Sequence, residues 1–441
     1  MSFSVLTDPA HLPNPSGNVS RKSFQRVLMS SDISGASFVA GATANFQFSN
    51  TGRNWLCPSE SYLLARVSLS KSDGSVLNGT NSTNLCLAFN CVGGLFESSS
   101  HSINDTIVSQ TNNYALASAV QTRMSSNESY RSTSGVDEML VSDFTLAAPA
   151  KPVGRLQQMA TKITHDLKHT PALSLYRAKQ LIPPSCRHQL QFNVATGWDY
   201  RIIEASGAAA KTSVVAGTGL AANNYTVTVT KLEFFACFYE HEADISGSTI
   251  YLDTRELSLV SRNLAATSEE FVATVKPSTY RCMIFHQDVA SRAGTGGRAP
   301  ATHFKSSTDQ AYHTTLASLQ LSYAGQQVPQ IPYSLSYTAA NNVNGYARAL
   351  RDSAIALGYC DEEWESLNTW SPLGDTASLG PMFAMSLIKP SDDRSTEVVI
   401  SSTWTAAPTA VVQWICAESL STVSLSFNSA SDCDQVSRVD R

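Results

Sequence analysis

The sequence has 441 residues, of which 42 % are hydrophobic and only 15 % are charged, and its formal net charge is −5. Its 17 Phe, 15 Tyr and 6 Trp can build a large core, which excludes a disordered chain. The acidic balance argues against strong direct nucleic-acid binding, which needs a basic face or arm. A chain of this length is expected to fold into more than one domain.

The first elements in chain order are an extended arm and several strands. Residues 1–36 are polar and interrupted by prolines, which predicts an N-terminal arm. Alternating apolar and polar residues then predict strands at 37–49 and 62–70, and 85–92 is a short apolar run. The stretch 95–116 reads as strand, tight turn and strand, followed by a helix at about 114–124.

The middle of the sequence predicts a strand at 138–147, a helix or helical connection at 155–167, and a strand within 180–195. Residues 225–240 form the longest predicted strand. Its apolar phase slips by one residue near Thr230, which predicts a β-bulge. Both faces of its second part are apolar, so we expect this strand to lie where two halves of the protein meet.

The second half repeats this plan after a polar linker at 240–248. Strands are predicted at 249–259, 270–275 and 280–287, followed by a mobile Gly-rich loop at 293–304. A second hairpin at 316–335 precedes a helix at about 345–358. Strands at 381–388, 397–405, 409–418 and 422–427 complete the pattern, and 428–441 is a polar tail.

The two hairpins are related by a constant offset of 220 residues, half the length of the chain. At this offset Ile103 falls on Tyr323, Asp105 on Gly325, and Val108 on Val328. Many short strands joined by turns are typical of a sandwich or barrel, and the repeat makes two of them.

The hairpin pattern resembles the double jelly-roll major capsid proteins of eukaryotic DNA viruses, in particular the Polinton-like and adintovirus-like group. That family has Leu-Phe, a strand, an aliphatic residue, Asn-Gly, a second strand and a Tyr-led helix in its first half. Here these first-half positions are Leu95, Phe96, Ile103, Asn104, Asp105, Val108 and Tyr114. The family's second half has an alternating strand that ends in Tyr-x-Gly, followed by Val-Pro and Pro-Tyr. Here these second-half positions are Leu319, Leu321, Tyr323, Gly325, Val328, Pro329, Pro332 and Tyr333.

The resemblance implies an all-β fold of two tandem eight-stranded jelly rolls side by side, with short helices in the loops. The first roll would span 37–242 and the second 249–427, between the arm at 1–36 and the tail at 428–441. It also implies a structural subunit that forms homotrimeric, pseudo-hexameric capsomers of an icosahedral virion. Its partners would be itself, neighbouring capsomers, and penton or minor capsid proteins, without a cofactor, a metal or an enzymatic activity.

Two features depart from the family pattern. The first turn is Asn-Asp rather than Asn-Gly, although Asp also tolerates positive φ. Ser99 and His101 stand where apolar residues are expected. We therefore predict that their strand is an edge strand or faces a wet interface.

Several residue clusters could carry chemistry, but each has a simpler interpretation. His165 and His169 have the helical spacing of metal ligands, yet no Glu general base or third ligand accompanies them. Glu240, His241 and Glu242 are interpreted as solvated residues at the exit of a strand. The acidic residues Asp361, Glu362, Glu363 and Glu365 are interpreted as a solvated face beside core Trp364 and Trp370, because a Ca²⁺-loop pattern is missing.

The odd number of nine cysteines, without a CxxC pair, favours reduced thiols and assembly inside the host cell, in the cytoplasm or nucleus. The N-terminal residues lack the features of a signal peptide, and no apolar run predicts a membrane span. Two alternatives stay open at this point. One is a glycan-binding or glycan-cleaving jelly-roll protein, and the other is a minor virion protein.

Overall fold

The structure is a computed structural model, which describes residues 19–30, 33, 38–71, 85–87, 90–138, 164–195, 202–206, 210–214, 225–242, 245–288, 315–335, 343–359, 364–370, 380–387, 396–408, 411–429 and 432–440. Antiparallel strands dominate this part of the chain. The loop predicted at 293–304 lies outside these residues. The strand predicted at 138–147 does so too, except for its first residue, Glu138, which ends a 3-10 turn.

The first half has eleven strands and two helices within the described residues. In order they are β1 (Val19–Val27), β2 (Thr43–Asn50), β3 (Asn54–Lys71), β4 (Leu85–Leu87), β5 (Phe96–Ile103), β6 (Thr106–Asn112), α1 (Tyr114–Ser125), α2 (Glu128–Ser132), β7 (Thr164–His169), β8 (Cys186–Val194), β9 (Ile202–Ser206), β10 (Ala210–Val214) and β11 (Tyr225–His241). The strand β1 lies in the segment predicted as an extended arm, and it pairs with β11.

The second half has nine strands and two helices in the part of the chain that the structure describes. They are β12 (Thr249–Leu264), β13 (Ser268–Thr274), β14 (Thr279–Asp288), β15 (Leu316–Tyr323), β16 (Gln326–Ser334), α3 (Val343–Leu357), α4 (Leu367–Trp370), β17 (Met382–Ser386), β18 (Glu397–Trp404), β19 (Val411–Ser429) and β20 (Asp432–Asp440). The strand β20 lies in the predicted polar tail, and it pairs with β19.

Each half repeats one order of strands once the short strands β4, β9 and β10 and the added strand β20 are set aside. Each half then has eight described strands in two sheets. The first, eighth, third and sixth strands lie side by side in β1-β11-β3-β7 and in β12-β19-β14-β17. The second, seventh, fourth and fifth do so in β2-β8-β5-β6 and in β13-β18-β15-β16. The two halves therefore share one topology, strand by strand.

Alternation along the strands places one face of each of these four sheets in a core. On β8 the side chains of Leu190, Phe192 and Val194 are buried, as predicted, while the residues between them are partly exposed. Phe46 on the neighbouring β2 packs its ring edge-on against Phe192, with 6.4 Å between ring centroids. Each fully buried large apolar side chain contributes about 1.5–3 kcal/mol to folding.

The long strand β11 confirms the predicted bulge. Its register with β3 shifts between Val229 and Lys231, which confirms the bulge near Thr230. Its neighbours in the sheet are β1 and β3, both of the first half, and one of its faces packs in the core that also includes residues of the second half. Its second apolar face is explained by a ring stack between Phe235 and Tyr62, with centroids 5.2 Å apart.

The helices at 114–124 and 345–358 are confirmed as α1 and α3, but the helical interpretation of the segment with His165 and His169 is wrong. These two histidines lie on β7, which pairs with β3 at the edge of a sheet. Pairing with β3 decides the structure of this short segment, whose residue pattern fits either element. None of the described helices reaches the length and hydropathy of a bilayer span, since α3 is the longest and has 15 residues.

Two hydrophobic cores form, one for each half, and each contains residues of the other half. The first core includes six residues from the second half: Ile250, Leu252, Val423, Leu425, Phe427 and Cys433. The second core includes Leu116, Ala119, Val120 and Met124 of α1. The halves are thus interlocked: a helix of the first half completes the second core, and β12, β19 and β20 complete the first.

Candidate functional site

The two hairpins at which the sequence repeats occupy the same place in their halves. Ile103 ends β5 and pairs with His188 on β8. Tyr323 ends β15 and pairs with Val398 on β18. Both side chains are buried, with 0 and 1 % of their surface exposed. Equivalent strands, pairing and burial make the 220-residue offset a structural repeat.

Each hairpin turns through two residues with positive φ. The values are 46° for Asn104 and 65° for Asp105, and 50° for Ala324 and 76° for Gly325. Two successive positive φ values define a type I′ turn, whose twist matches that of the flanking strands. In the first turn the Asn104 side chain also accepts a hydrogen bond of 2.8 Å from the backbone N–H of Arg187. Asp therefore serves in the place where the resembling family has Gly.

The other signature residues of the first half lie in the first core. Leu95 ends a short 3-10 turn, Phe96 begins β5, Val108 lies in β6 and Tyr114 begins α1. All four are fully buried. The rings of Phe96 and Tyr114 meet edge-on with centroids 6.2 Å apart, so these residues hold the hairpin against the start of α1.

The signature residues of the second half lie in and around the second core. Leu319 and Leu321 are buried on β15, and Val328 and Pro329 are half-buried on β16. Tyr333 is buried on the same strand and stacks on Phe383, with 6.1 Å between ring centroids, whereas Pro332 is exposed. The two signature sets therefore belong to separate cores, and within each half they position a hairpin.

A buried cluster of charges joins the two halves. Arg123 on α1 donates from Nε to Glu365 Oε1 at 2.8 Å and from Nη2 to Oε2 at 2.6 Å. Arg131 on α2 adds a contact of 2.8 Å between its Nη2 and Glu365 Oε1. The indole N–H of Trp364 donates to the carbonyl oxygen of Arg123 at 2.8 Å. All three charged side chains are buried, so the contact is shielded from water and from salt.

Glu365 stays ionised in this cluster. Burial raises the pKa of its carboxyl group, but Arg123 and Arg131 outweigh that effect and hold the pKa below its usual value. The interpretation of Glu365 as part of a solvated acidic face is therefore wrong, while Trp364 and Trp370 are core residues as predicted. The neighbouring acidic residues 361–363 lie outside the described residues. The flanking tryptophans were a signal of burial that the sequence already contained.

Comparison with known proteins finds neither a matching family model nor a matching curated protein. Solved structures do match. A chain from the cryo-EM structure of the Sputnik virophage gives a TM-score of 0.59 at 10 % identity, over 96 % of this chain and 89 % of that chain. The mavirus major capsid protein gives 0.56 at 9 % identity, over 97 % and 93 %. The Faustovirus major capsid protein gives 0.54 at 9 % identity, over 93 % and 92 %.

These similarities extend over nearly the whole chain, and the strand order found in each half is that of an eight-stranded jelly roll. The fold is a double jelly roll. The predicted fold class, with short helices between the strands, is confirmed. At 9–10 % identity the similarity establishes the fold. Below, the first roll means β1–β11 and the second roll β12–β20.

His101 corrects the prediction of an edge strand or a wet interface. The strand β5 lies inside its sheet between β8 and β6, and both Ser99 and His101 are buried. His101 is accommodated in the first roll because its Nε2 lies 3.1 Å from Nδ1 of His188. The two rings also stack, with centroids 5.4 Å apart. A polar pair thus replaces an apolar contact.

Asn50 determines which ring nitrogens of this histidine pair carry a hydrogen atom. Its Nδ2 donates to the carbonyl oxygen of Pro183 at 2.6 Å, so its Oδ1 faces Nε2 of His188 at 3.2 Å. His188 therefore donates through Nε2, and its Nδ1 accepts from His101. Both rings are neutral in this arrangement. Burial agrees with it, lowering the pKa of His101 to about 3 and that of His188 well below its usual value.

His169 accepts a hydrogen bond from a buried tyrosine. The backbone N–H of Ala172 donates to the Tyr114 hydroxyl at 2.9 Å, and that hydroxyl donates to His169 Nε2 at 2.9 Å. Burial lowers the pKa of His169 to about 3, so the ring is neutral. No group of three or more His, Cys, Asp or Glu side chains that could hold a metal ion occurs in the described part of the chain.

The cluster at the end of β11 is only partly solvated. Glu242 is exposed and forms an ion pair with Arg53. His241, in contrast, is buried and packs on Trp55 with ring centroids 5.3 Å apart. The interpretation of the cluster as solvated is therefore wrong for His241, because Trp55 on the paired strand β3 covers it.

Proposed function

We propose that the chain is a major capsid protein, the structural subunit of an icosahedral virus shell. One observation carries this proposal: a single chain contains two jelly rolls with the same order of strands and equivalent hairpins at Ile103 and Tyr323. A shell of this kind needs flat tiles with a nearly sixfold outline. Three copies of a chain with two similar rolls supply six similar units around a threefold axis.

The contact between the rolls supports this role. A tile keeps its outline only if the two rolls of each chain hold a fixed relative position. The Arg123–Glu365 pair and the interlocked cores supply such a connection. A flexible linker between independent rolls would leave the six units free to move.

We further propose the division of the chain that the resemblance implies. The main part of the first roll spans 37–242 and that of the second 249–427, and each roll gains one strand from a terminal segment: β1 from 1–36 and β20 from 428–441. Fourteen of the fifteen signature residues, all except Pro332, act as structural positions of the hairpins. We propose no catalytic role and no cofactor for this chain.

The partners follow from the same role. The chain contacts itself in a homotrimer, then neighbouring capsomers, and penton or minor capsid proteins at special positions of the shell. A net charge of −5 favours a shell that encloses nucleic acid without strong direct binding. Seven cysteines whose side chains the structure describes are buried thiols, which suits assembly inside the host cell and residence in the virion.

Electron microscopy and mass measurement of the purified protein test the proposal. We expect particles with a hexagonal outline, or closed shells, and a solution mass of three copies of the 47.4 kDa chain. The trimers should persist on dilution into about 0.5 M salt, a concentration that screens the interactions between exposed charges. Stable monomers that bind a glycan array would instead support a carbohydrate-binding jelly-roll protein and overturn the capsid proposal.

A further inference from the structure

A polar cleft lies between the two rolls, close to the charge cluster that joins them. Its volume is about 370 Å³, within the range of roughly 300–1,000 Å³ that is typical of small-ligand sites. The lining comes from both rolls. From the first roll it includes Gln121, Tyr176 and Arg177, and from the second roll it includes Arg281 and Glu418.

Cations outnumber carboxylates in the lining of this cleft. Arg177, Lys179, Arg255 and Arg281 face Glu418, and the other lining carboxylate, Glu138, has a cation of its own in Lys168, 3.8 Å away. Glu418 is buried and already shared, because it pairs with Arg177 and, at 3.3 Å, with Arg281. Lys179 and Arg255 form no ion pair with any described residue. About three positive charges are therefore left uncompensated.

Several residues that line this cleft have buried polar atoms without a hydrogen-bond partner. Within the described residues, four residues that line the cleft have a buried polar atom without a hydrogen-bond partner: the Tyr176 hydroxyl, Nε of Arg281, Oε1 of Gln121 and Oε2 of Glu418. Tyr176 and Gln121 are more than nine-tenths buried. Buried polar groups normally have a partner, which is a protein group, a water or a ligand. The Tyr176 hydroxyl and Nε of Arg281 are donors, as an anion requires, and the charge of the Glu418 carboxylate is already balanced by its ion pair with Arg281.

We propose that this cleft binds a small polyanion that bears phosphate groups and bridges the two rolls. The forked guanidinium groups of Arg177, Arg255 and Arg281 match the oxygens of phosphate and can bind them in pairs. Tyr176 donates a further hydrogen bond, and Gln121 Oε1 accepts one from a protonated phosphate oxygen or a bound water. The bound anion neutralises the cleft and ties the first roll to the second.

Charge and size favour a compact polyphosphate over a longer chain. One phosphate group has a charge of about −1.5 to −2, so two or three linked groups balance the excess in the cleft. A nucleic-acid strand spreads its charges along an extended backbone, and the acidic balance of the whole chain disfavours its approach. Inside cells, linked phosphate groups occur both in free polyphosphates and in nucleoside triphosphates.

Isothermal titration calorimetry of the purified protein with inorganic tripolyphosphate tests this proposal. The double variant Lys179→Gln/Arg255→Gln removes two exposed cations that have no ion-pair partner, so it leaves the packing of the rolls intact. We expect this variant to lose affinity for tripolyphosphate by about tenfold. The variant Tyr176→Phe, which removes only a hydroxyl group, should weaken binding several-fold. Affinity should also fall as salt rises.

Arg351→Gln is the matched control, because it removes an exposed cation on α3 outside the cleft. Its affinity for tripolyphosphate should equal that of the wild type. The proposal is overturned if the wild type shows no saturable binding, or if the double variant binds as tightly as the control. Tighter binding of a short oligonucleotide than of tripolyphosphate, lost in the double variant, would also overturn it. ATP and citrate as further titrants separate a nucleotide from a free polyphosphate, and phosphate from carboxylate chemistry.

This proposal goes beyond the capsid role and can fail separately. The titration is made on unassembled protein, so its result does not depend on shell formation. Conversely, trimers that form without any bound anion would leave the proposed capsid function unchanged.

Discussion

Arg123 and Glu365 lie 242 residues apart in the sequence and form a bidentate salt bridge with no exposed surface. One residue belongs to the first roll and the other to the second. The pair therefore fixes two rolls relative to each other at a single, water-free point. The stabilising effect of such a pair is seen most clearly when one member is removed, because the other charge is left buried without a partner.

The first prediction concerns this pair. Glu365→Gln leaves Arg123 and Arg131 buried without their counter-charge, so we expect the free energy of unfolding to fall by about 3–5 kcal/mol. Denaturant unfolding followed by tryptophan fluorescence measures this loss. The matched control is Glu242→Gln, since Glu242 forms an exposed pair with Arg53 that contributes about 0–1 kcal/mol. Equal losses in the two variants would show that the buried pair does not hold the rolls.

The second prediction concerns acid stability. Burial holds the pKa of His101, His169 and His286 at about 3 in the folded protein, against 6.5 as the ordinary value. Between these two pH values the unfolded chain binds protons that the folded chain does not. Stability is therefore fully present above pH 6.5 and falls as the pH drops, by about 1.4 kcal/mol per pH unit for each histidine. Thermal melts from pH 7.5 to 5 measure the slope.

A matched pair of variants on β7 tests whether the pH dependence of stability comes from the burial of a histidine rather than from its presence alone. His169→Gln removes a buried ring that accepts from Tyr114, so the slope below pH 6.5 should become shallower by about 1.4 kcal/mol per pH unit. His165→Gln, four residues earlier on the same strand, changes a side chain that is only partly buried. We expect a smaller change of slope there. A wild-type protein with constant stability from pH 7.5 to 5 would contradict this account.

The third prediction concerns the second hairpin. Ala324 has a φ of 50°, a conformation that costs a residue other than Gly, Asn or Asp about 1–2 kcal/mol. Ala324→Asn supplies the residue that the first hairpin has at this place, and it should raise the free energy of unfolding by about 1 kcal/mol. Ala324→Val, with a β-branched side chain at the same position, should lower it by a similar amount. Denaturation midpoints that do not follow this order would exclude the type I′ turn.

The fourth prediction concerns the interlocked cores. Phe427 lies on β19 in the second roll but packs in the first core. Phe427→Ala should cost about 3–5 kcal/mol and should reduce hydrogen-exchange protection of β8 in the first roll more than that of β18 in the second. Val272→Ala, at an exposed position on β13, should leave both strands protected. Loss of protection confined to the second roll would contradict the exchange of core residues.

Much of this fold could be predicted because its signals are local. Turn residues that tolerate positive φ, alternation along the strands and the slip near Thr230 identified the hairpins and the bulge of β11. The repeat of the hairpin indicated that the chain contains two rolls. These features depend on neighbours in sequence, so a single sequence contains them.

The residues that were misjudged depend on partners far along the chain. His101 is buried because His188 and Asn50 satisfy it, and Glu365 is buried because two arginines of the first roll neutralise it. Nothing in the sequence around either residue identifies such a partner. The short segment of His165 and His169 fits a helix or a strand equally well, and pairing with β3 decides it.

The exchange of core residues has a consequence for protein synthesis. Because the first core includes residues up to Cys433, the roll that is translated first stays open until the strands β19 and β20 of the second roll have been translated. A chain released early, before residue 423, lacks the side chains that cover this core and exposes apolar surface instead. Folding of the first roll is therefore coupled to synthesis of the second, and the two rolls are completed together.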